Sequence, residues 1–152
     1  MNVRRETFEK SERLCSTKLI SGLFEDGHIF YTSLFKVVWN TSPVTLPHPA
    51  QVAFSVSKRG FRLAVARNLI KRRMREGWRK NKYLLYGSLS TENIQVVLIV
   101  IMTGKSIPDY EYIEKSMKEI ISKLSKIVGE RTEDRSPKSE DYRIEPGSAS
   151  DF

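Results

Sequence analysis

Between Lys58 and Lys82 the chain carries eleven Lys or Arg against one acid, Glu76. A segment this cationic suits a polyanion, because its own charges repel one another. On a helical wheel the charges sort themselves. Arg67, Asn68, Lys71, Arg72, Arg75, Arg79 and Lys82 fall on one arc, and Leu63, Ala66, Ile70, Met74 and Gly77 on another. A solvated face ordinarily mixes signs, since opposite charges four residues apart stabilise a helix by about 0.2–0.5 kcal/mol and like charges cost a similar amount. Here Arg67, Lys71, Arg75 and Arg79 are like charges stacked four apart. That pattern favours nucleic-acid phosphate as the partner over plain solvation.

Catalytic chemistry in the protein itself is poorly supplied. His28 and His48 are far apart and lack neighbouring ligands, Cys15 is the sole cysteine, and no Gly-rich phosphate loop is present. Lys58-Arg59-Gly60 reads as a phosphate-contacting turn, too short for a nucleotide-binding motif. No catalytic side chain and no protein-held metal or organic cofactor is expected, so the chain reads as a binder. Phe24, Phe35, Phe61 and Trp78 are candidate stacking platforms for single-stranded bases, worth about 1–3 kcal/mol per base. Core packing is the competing role for each, least so for Phe61, which sits among Arg59, Gly60 and Arg62.

The elements that must position these residues follow from pattern. Leu14, Leu19, Ile20, Leu23 and Phe24 suggest an amphipathic helix over 11–26, with Ser11 as N-cap and Gly27 as its stop. SLFKVVWN over 33–40 is rich in β-branched and aromatic residues, and three prolines within 41–49 end that strand. QVAFSVS over 51–57 alternates, which gives a half-buried strand with a small polar face. The basic helix begins near Leu63 or Ala64 and runs to about Leu84, with 87–93 as a loop. IQVVLIVIM over 94–102 is apolar enough for a central strand, and Ile113, Met117, Ile120, Ile121, Leu124 and Ile127 mark a last helix over 110–127.

Of the 152 residues, those from 129 to 152 carry seven acids and four bases; with a formal charge of +8 overall, residues 1–128 carry +11. The expected organisation is a loose N-terminus over 1–10, one cationic α/β domain over 11–128, and a disordered, acidic-leaning tail over 129–152. No apolar run is long enough to span a bilayer, and MNVRRETFEK lacks the apolar stretch of a secretory signal. A reducing, cytoplasmic setting without membrane contact is expected.

The strings FSVSKR and AVARNLIKRRMRE resemble the protein component of bacterial ribonuclease P. Its signature is a strand ending S-V-x-K followed by a helix carrying R-N-R-x-K-R-x-x-R. It falls here on Ser55, Val56, Ser57 and Lys58, then Arg67, Asn68, Leu69, Lys71, Arg72 and Arg75. The similarity extends more weakly to Arg13-Leu14 and to DYEYIEKSM, covering roughly 12–127. It departs at Leu69, where the family usually has Arg, so that either one phosphate contact is missing or Arg73 or Arg62 replaces it. It departs again after the last strand, where Lys105 takes the place of a basic residue at the strand end.

The resemblance implies an α+β fold, a small two-layer sandwich of order αβββαβα with a mixed four-stranded sheet and a left-handed βαβ crossover. It also implies a subunit of the ribonucleoprotein that removes the 5′ leader of precursor transfer RNA, catalysis residing in the RNA and its Mg2+. The implied partners are the catalytic RNA and precursor transfer RNA, with no stable protein partner. The implied RNA-binding residues are Lys58, Arg59, Arg62, Arg67, Asn68, Lys71, Arg72, Arg75 and Arg79, and the implied leader cleft uses Ile20, Phe24, Phe35, Ser55, Ser57 and Lys105. The alternative is a ribosomal protein or assembly factor using the same cationic helix. A DNA-binding helix-turn-helix protein is more distant, since no second short helix precedes the basic one.

Overall fold

The computed structural model describes residues 7–133. A 3-10 turn at Lys10–Glu12 leads into α1 (Thr17–Asp26), then β1 (His28–Tyr31), β2 (Phe35–Thr41), β3 (Ala50–Val56), α2 (Ala64–Glu92), β4 (Val96–Met102) and α3 (Tyr110–Glu133). The four strands form one mixed sheet in the order β1-β2-β4-β3. β1 pairs with β2 and β2 with β4 antiparallel, and β3 pairs with β4 in parallel.

Side-chain alternation gives the sheet two faces. Phe35, Val37, Trp39, Val52, Val56, Leu98 and Val100 point toward α2 and α3 and make the main core with Ile70, Met74, Trp78, Met117 and Leu124. Val38, Val97 and Ile99 point the other way, where α1 covers part of the sheet through Leu23, Leu19 and Ile20. The principal packing is thus helix pair on sheet, with α1 as a partial cover opposite. β4 is buried on both faces along most of its length, as its unbroken apolar sequence requires. At Gly77, α2 and α3 come so close that an added Cβ would touch Glu114 Cα and Met117 Cβ, each at 3.5 Å.

Several expectations are corrected. The first helix is capped by Ser16, whose Oγ accepts from the Leu19 N–H at 3.2 Å, and not by Ser11. Residues 13 and 14 are extended instead. The Leu14 N–H donates to the Val52 carbonyl at 3.0 Å, and Arg13 bridges Val52 on the edge of β3. α2 passes Leu84 and absorbs most of the expected 87–93 loop, because Leu85 and Leu89 continue its buried stripe. Its stop is Asn93, in the left-handed region at φ 57°, whose N–H reaches the Leu89 and Ser90 carbonyls.

Leu63 is the N-cap of α2 and 72% exposed, so it belongs to no core face. Lys82 is only 4% exposed and therefore off the phosphate arc. Phe61, assigned to the surface by its basic neighbours, is buried in the main core. Local sequence misled there because Phe61 lies in the turn that brings the chain back over the core, its N–H bonded to the Ser57 carbonyl at 3.0 Å.

The expected loose N-terminus is anchored from Thr7, whose carbonyl accepts from Lys82, and Phe8 stacks at 6.0 Å on Phe54. Residues 1–6 lie outside the described residues. In the expected tail, 129–133 are helical as the end of α3, and 134–152 lie outside the described residues.

Candidate nucleic-acid interface

Parallel pairing of β3 with β4 puts the C-terminal ends of both strands at one edge of the molecule. The segment after β3 carries Ser57, Lys58 and Arg59, and the segment after β4 carries Lys105. The two abut: a Cβ added at Gly60 would lie 3.6 Å from the Gly104 carbonyl oxygen. Ser57 Oγ accepts from the Arg59 N–H at 3.0 Å and shapes this turn. Lys58, Arg59, Arg62 and Lys105 are all exposed, and α2 starts from the same end. Four cations from two loops therefore continue into the basic helix.

Along α2 the expected residues divide. Asn68 and Arg72 are exposed, and Lys71 and Arg75 half-buried. Burial first, then repulsion from Arg13 and Arg72, pushes the Arg75 guanidinium below the usual arginine range. Arg67 is turned inward, donating from Nη1 to the Phe61 carbonyl at 2.8 Å and the Arg62 carbonyl at 2.9 Å, so it fastens the turn before the helix. Arg79 is held by Glu76 at 2.6 Å. Hydrogen bonding from Arg79 leads the effects that draw the Glu76 carboxyl below its ordinary value. Arg73 donates to the Pro108 carbonyl at 2.6 Å, while Arg62 is exposed.

The second surface lies on the α1 side of the sheet. Strand register places Tyr31, Lys36, Ile101 and Ser55 in one row across all four strands, because Tyr31 pairs with Lys36, Lys36 with Ile101 and Ile101 with Ser55. The next row, Ile29, Val38, Ile99 and Ala53, runs beneath α1. The outer row thus borders an open trough beside the helix: Tyr31 is exposed, and Lys36, Ile101 and Ser55 are half-buried. On α1, Ile20 packs with Ile101 against the second cluster, and Phe24, one turn further on, is 63% exposed.

Phe35 is corrected. It is 0% exposed in the main core and has no face to offer a base, because the alternation of β2 points it at α3 while Lys36 takes the trough side. Tyr31, Lys36 and Ile101 were not singled out from sequence. For Lys36 the signal was available in the alternation of β2; for Tyr31 and Ile101 it was not, since only strand register joins them. Arg13 was noticed solely as part of a resemblance.

Behind these surfaces lies a buried polar knot. Lys82 pairs with Glu12 and also donates to the Thr7 carbonyl, and Tyr86 donates to Glu12 Oε2 at 2.5 Å. Burial pushes the Glu12 carboxyl up, but hydrogen bonds from Lys82, Tyr86 and the Glu9 N–H outweigh it and leave Glu12 below its ordinary value. Burial, reinforced by Glu12, pushes the Tyr86 phenol up. Among the described residues no group of three or more His, Cys, Asp or Glu is placed to hold a metal ion, and no helix is long and apolar enough to cross a membrane.

An α+β sheet with a cationic helix starting at one end and a partly uncovered sheet face beside α1 is the architecture of a nucleic-acid-binding class of protein. Comparison with known proteins makes this specific: the family model for ribonuclease P matches residues 8–125, and the chain belongs to the ribonuclease P protein family. It is similar to the ribonuclease P protein component of Porphyromonas gingivalis, 30% identical over 116 residues that cover 76% of this chain and 85% of that protein. The corresponding protein of Chlorobium phaeobacteroides is 27% identical over 133 residues, covering 81% and 88%.

Among solved structures, the Staphylococcus aureus RNase P protein aligns with a TM-score of 0.61 at 23% identity, over 78% of this chain and 99% of that one. The Thermotoga maritima RNase P protein aligns at 0.59 and 19%, over 74% and 96%. These two support the fold. Family membership ties the chain to transfer RNA 5′ processing as a subunit of an endoribonuclease holoenzyme and to the ribonuclease P RNA as partner, in place of the ribosomal-protein alternative.

Proposed function

We propose that the chain acts within the holoenzyme through two surfaces. The trough beside α1 holds the 5′ leader of precursor transfer RNA as an extended single strand, with Phe24 offering a stacking face and Tyr31, Lys36 and Ser55 offering aromatic, cationic and hydroxyl contacts. The cationic end and exposed face of α2, comprising Lys58, Arg59, Arg62, Asn68, Lys71, Arg72 and Arg75, meet the phosphates of the structured catalytic RNA. Lys105 stands where the two surfaces join. Phosphodiester hydrolysis belongs to the RNA subunit, with Mg2+ held by that RNA and the substrate; the protein contributes binding, orientation and charge neutralisation.

The observation that supports this reading is the sheet row Tyr31–Lys36–Ile101–Ser55, only partly covered on the face that α1 packs against, together with the exposed Phe24 of α1 and the exposed Lys58, Arg59, Arg62 and Lys105. A protein that bound only structured RNA would have no use for such a trough. The test is reconstitution: the chain is combined with ribonuclease P RNA and precursor transfer RNA at low Mg2+, where RNA alone is slow. Restored 5′ maturation, with tighter binding of precursor than of mature transfer RNA, is the expected result. Maturation no faster than with RNA alone would overturn the reading.

A further inference from the structure

Arg13 is an exposed cation outside α2 and outside the two strand-end loops. Arg13 follows the 3-10 turn and is fixed on two sides: its backbone bridges Val52 on the β3 edge, and its guanidinium lies 5.7 Å from the centre of the Phe8 ring. Phe8 packs at 6.0 Å on Phe54, and Phe54 at 6.3 Å on Trp78, which is one turn along α2 from Arg75. The preceding residue, Glu12, is buried against Lys82 and Tyr86 of α2. Arg75, Arg79, Lys82 and Tyr86 recur at helical spacing along one stripe of α2, so the lock on Lys82 and Tyr86 sets the N-terminal segment beside that stripe.

From this geometry we infer that Arg13, Arg72 and Arg75 form one composite site for a phosphate group of bound RNA, with Arg13 delivered by the Glu12–Lys82–Tyr86 lock. Among the described residues no carboxylate pairs with any of the three; Glu12, the acid nearest in sequence, is consumed by the lock. Burial first, and then repulsion from Arg13 and Arg72, lowers the Arg75 value, which agrees with the three lying near one another. An anion between them relieves that repulsion, and a planar fork suits phosphate oxygens. Stacking on Phe8 orients the Arg13 fork without neutralising it.

The inference rests on the proposed binding of ribonuclease P RNA, and the experiment separates the two. Affinity of the full chain for that RNA is measured from 50 to 200 mM salt for wild type, Arg13→Gln and Arg13→Lys, each also in an Arg75→Gln background. A wild-type chain that does not bind defeats the proposed function. Given wild-type binding, Arg13→Gln is expected to lower the log–log slope by part of the about 0.7–0.9 that one phosphate contributes, since Arg72 and Arg75 still face it, so that its deficit against wild type shrinks by up to about threefold over this range. Arg13→Lys should retain the slope, and Arg13→Gln should cost less in the Arg75→Gln background than alone, because the two share one phosphate. An unchanged slope in Arg13→Gln overturns the inference. Equal losses in the lysine and glutamine variants also overturn it, by giving Arg13 a packing role over Phe8.

Discussion

If the trough holds the leader as proposed, replacing Phe24 by Leu should separate leader binding from every other function of the chain. The ring is 63% exposed, so roughly a third of it contributes to packing, and leucine retains most of that contact. The folding free energy should change by about 0.5 kcal/mol or less. What leucine lacks is a flat π face. If one leader base stacks there, its loss costs about 1–3 kcal/mol, which is about a 5- to 150-fold rise in Kd for precursor transfer RNA.

The assay compares Kd of the assembled protein–RNA particle for precursor and for mature transfer RNA, alongside the melting temperature of the protein. Precursor binding should weaken, with mature binding and melting temperature unchanged. Phe35→Leu is the control: that ring is fully buried, so its loss opens a cavity, lowers stability by about 0.5–3 kcal/mol and carries no preference between substrates. Equal weakening toward both RNAs by Phe24→Leu would refute the trough as the leader site.

Three further outcomes are expected. The Glu12 carboxyl is held below its ordinary value, so its contribution to stability is present above the unfolded glutamate value, about 4.3, and is lost as pH falls through the folded value. Urea unfolding across pH 3–7 should therefore show Glu12→Gln less stable at pH 7, with the gap to wild type closing on acidification; a constant gap would contradict the depressed value. Gly27→Ala would drive a Cβ to 2.7 Å from Val38 Cγ1 and against the Leu23 carbonyl, destabilising the fold by about 1–3 kcal/mol and weakening precursor binding by displacing α1, which thermal melts and the same Kd pair would report. Arg67→Ala should cost about 1.5–3 kcal/mol of stability through two lost charge-assisted bonds while leaving the salt slope of RNA binding nearly unchanged; a slope lower by a full contact would show that Arg67 faces RNA.

The long elements were legible because their patterns are physical requirements. β4 reads as one apolar run since both its faces are covered, and α3 repeats at three and four since one stripe meets the sheet. β1 was not legible from its residues: His28–Tyr31 is four residues on a sheet edge, with Ile29 and Tyr31 exposed, so no alternation marks it. The wheel placed Lys82 with the arginines because it counts angle and not neighbours. Only the N-terminal segment, folded back across 70 positions of sequence to bring Glu12, turns that angle into an interior one. Phe61 failed in the same way, judged by adjacent residues when distant helices decide burial; Phe35, placed in the cleft by the resemblance, is buried in the same core. Of the candidate interface, the cations at strand ends were readable and the trough was not, because a trough is a property of register.

The like charges on α2 favour an external anion as partner, yet the structure shows that the helix does not depend on one to form. Repulsive pairs four apart, such as Lys71 with Arg75, each cost about 0.2–0.5 kcal/mol, and Glu76 already relieves Arg79 and Lys80. On the opposite side of the same helix Ile70, Met74, Trp78, Leu85 and Leu89 are fully buried, each worth about 1.5–3 kcal/mol. Core packing therefore holds the helix by a wide margin, and RNA is not needed to form it. The basic face is thus set before binding: its backbone is fixed by the core, and Arg67, Arg73 and Lys82 are spent on carbonyls or a buried acid to fix the segments around it. Three of the eleven cations between Lys58 and Lys82 serve architecture so that the others need no rearrangement to meet phosphate, which keeps the ordering cost of binding low.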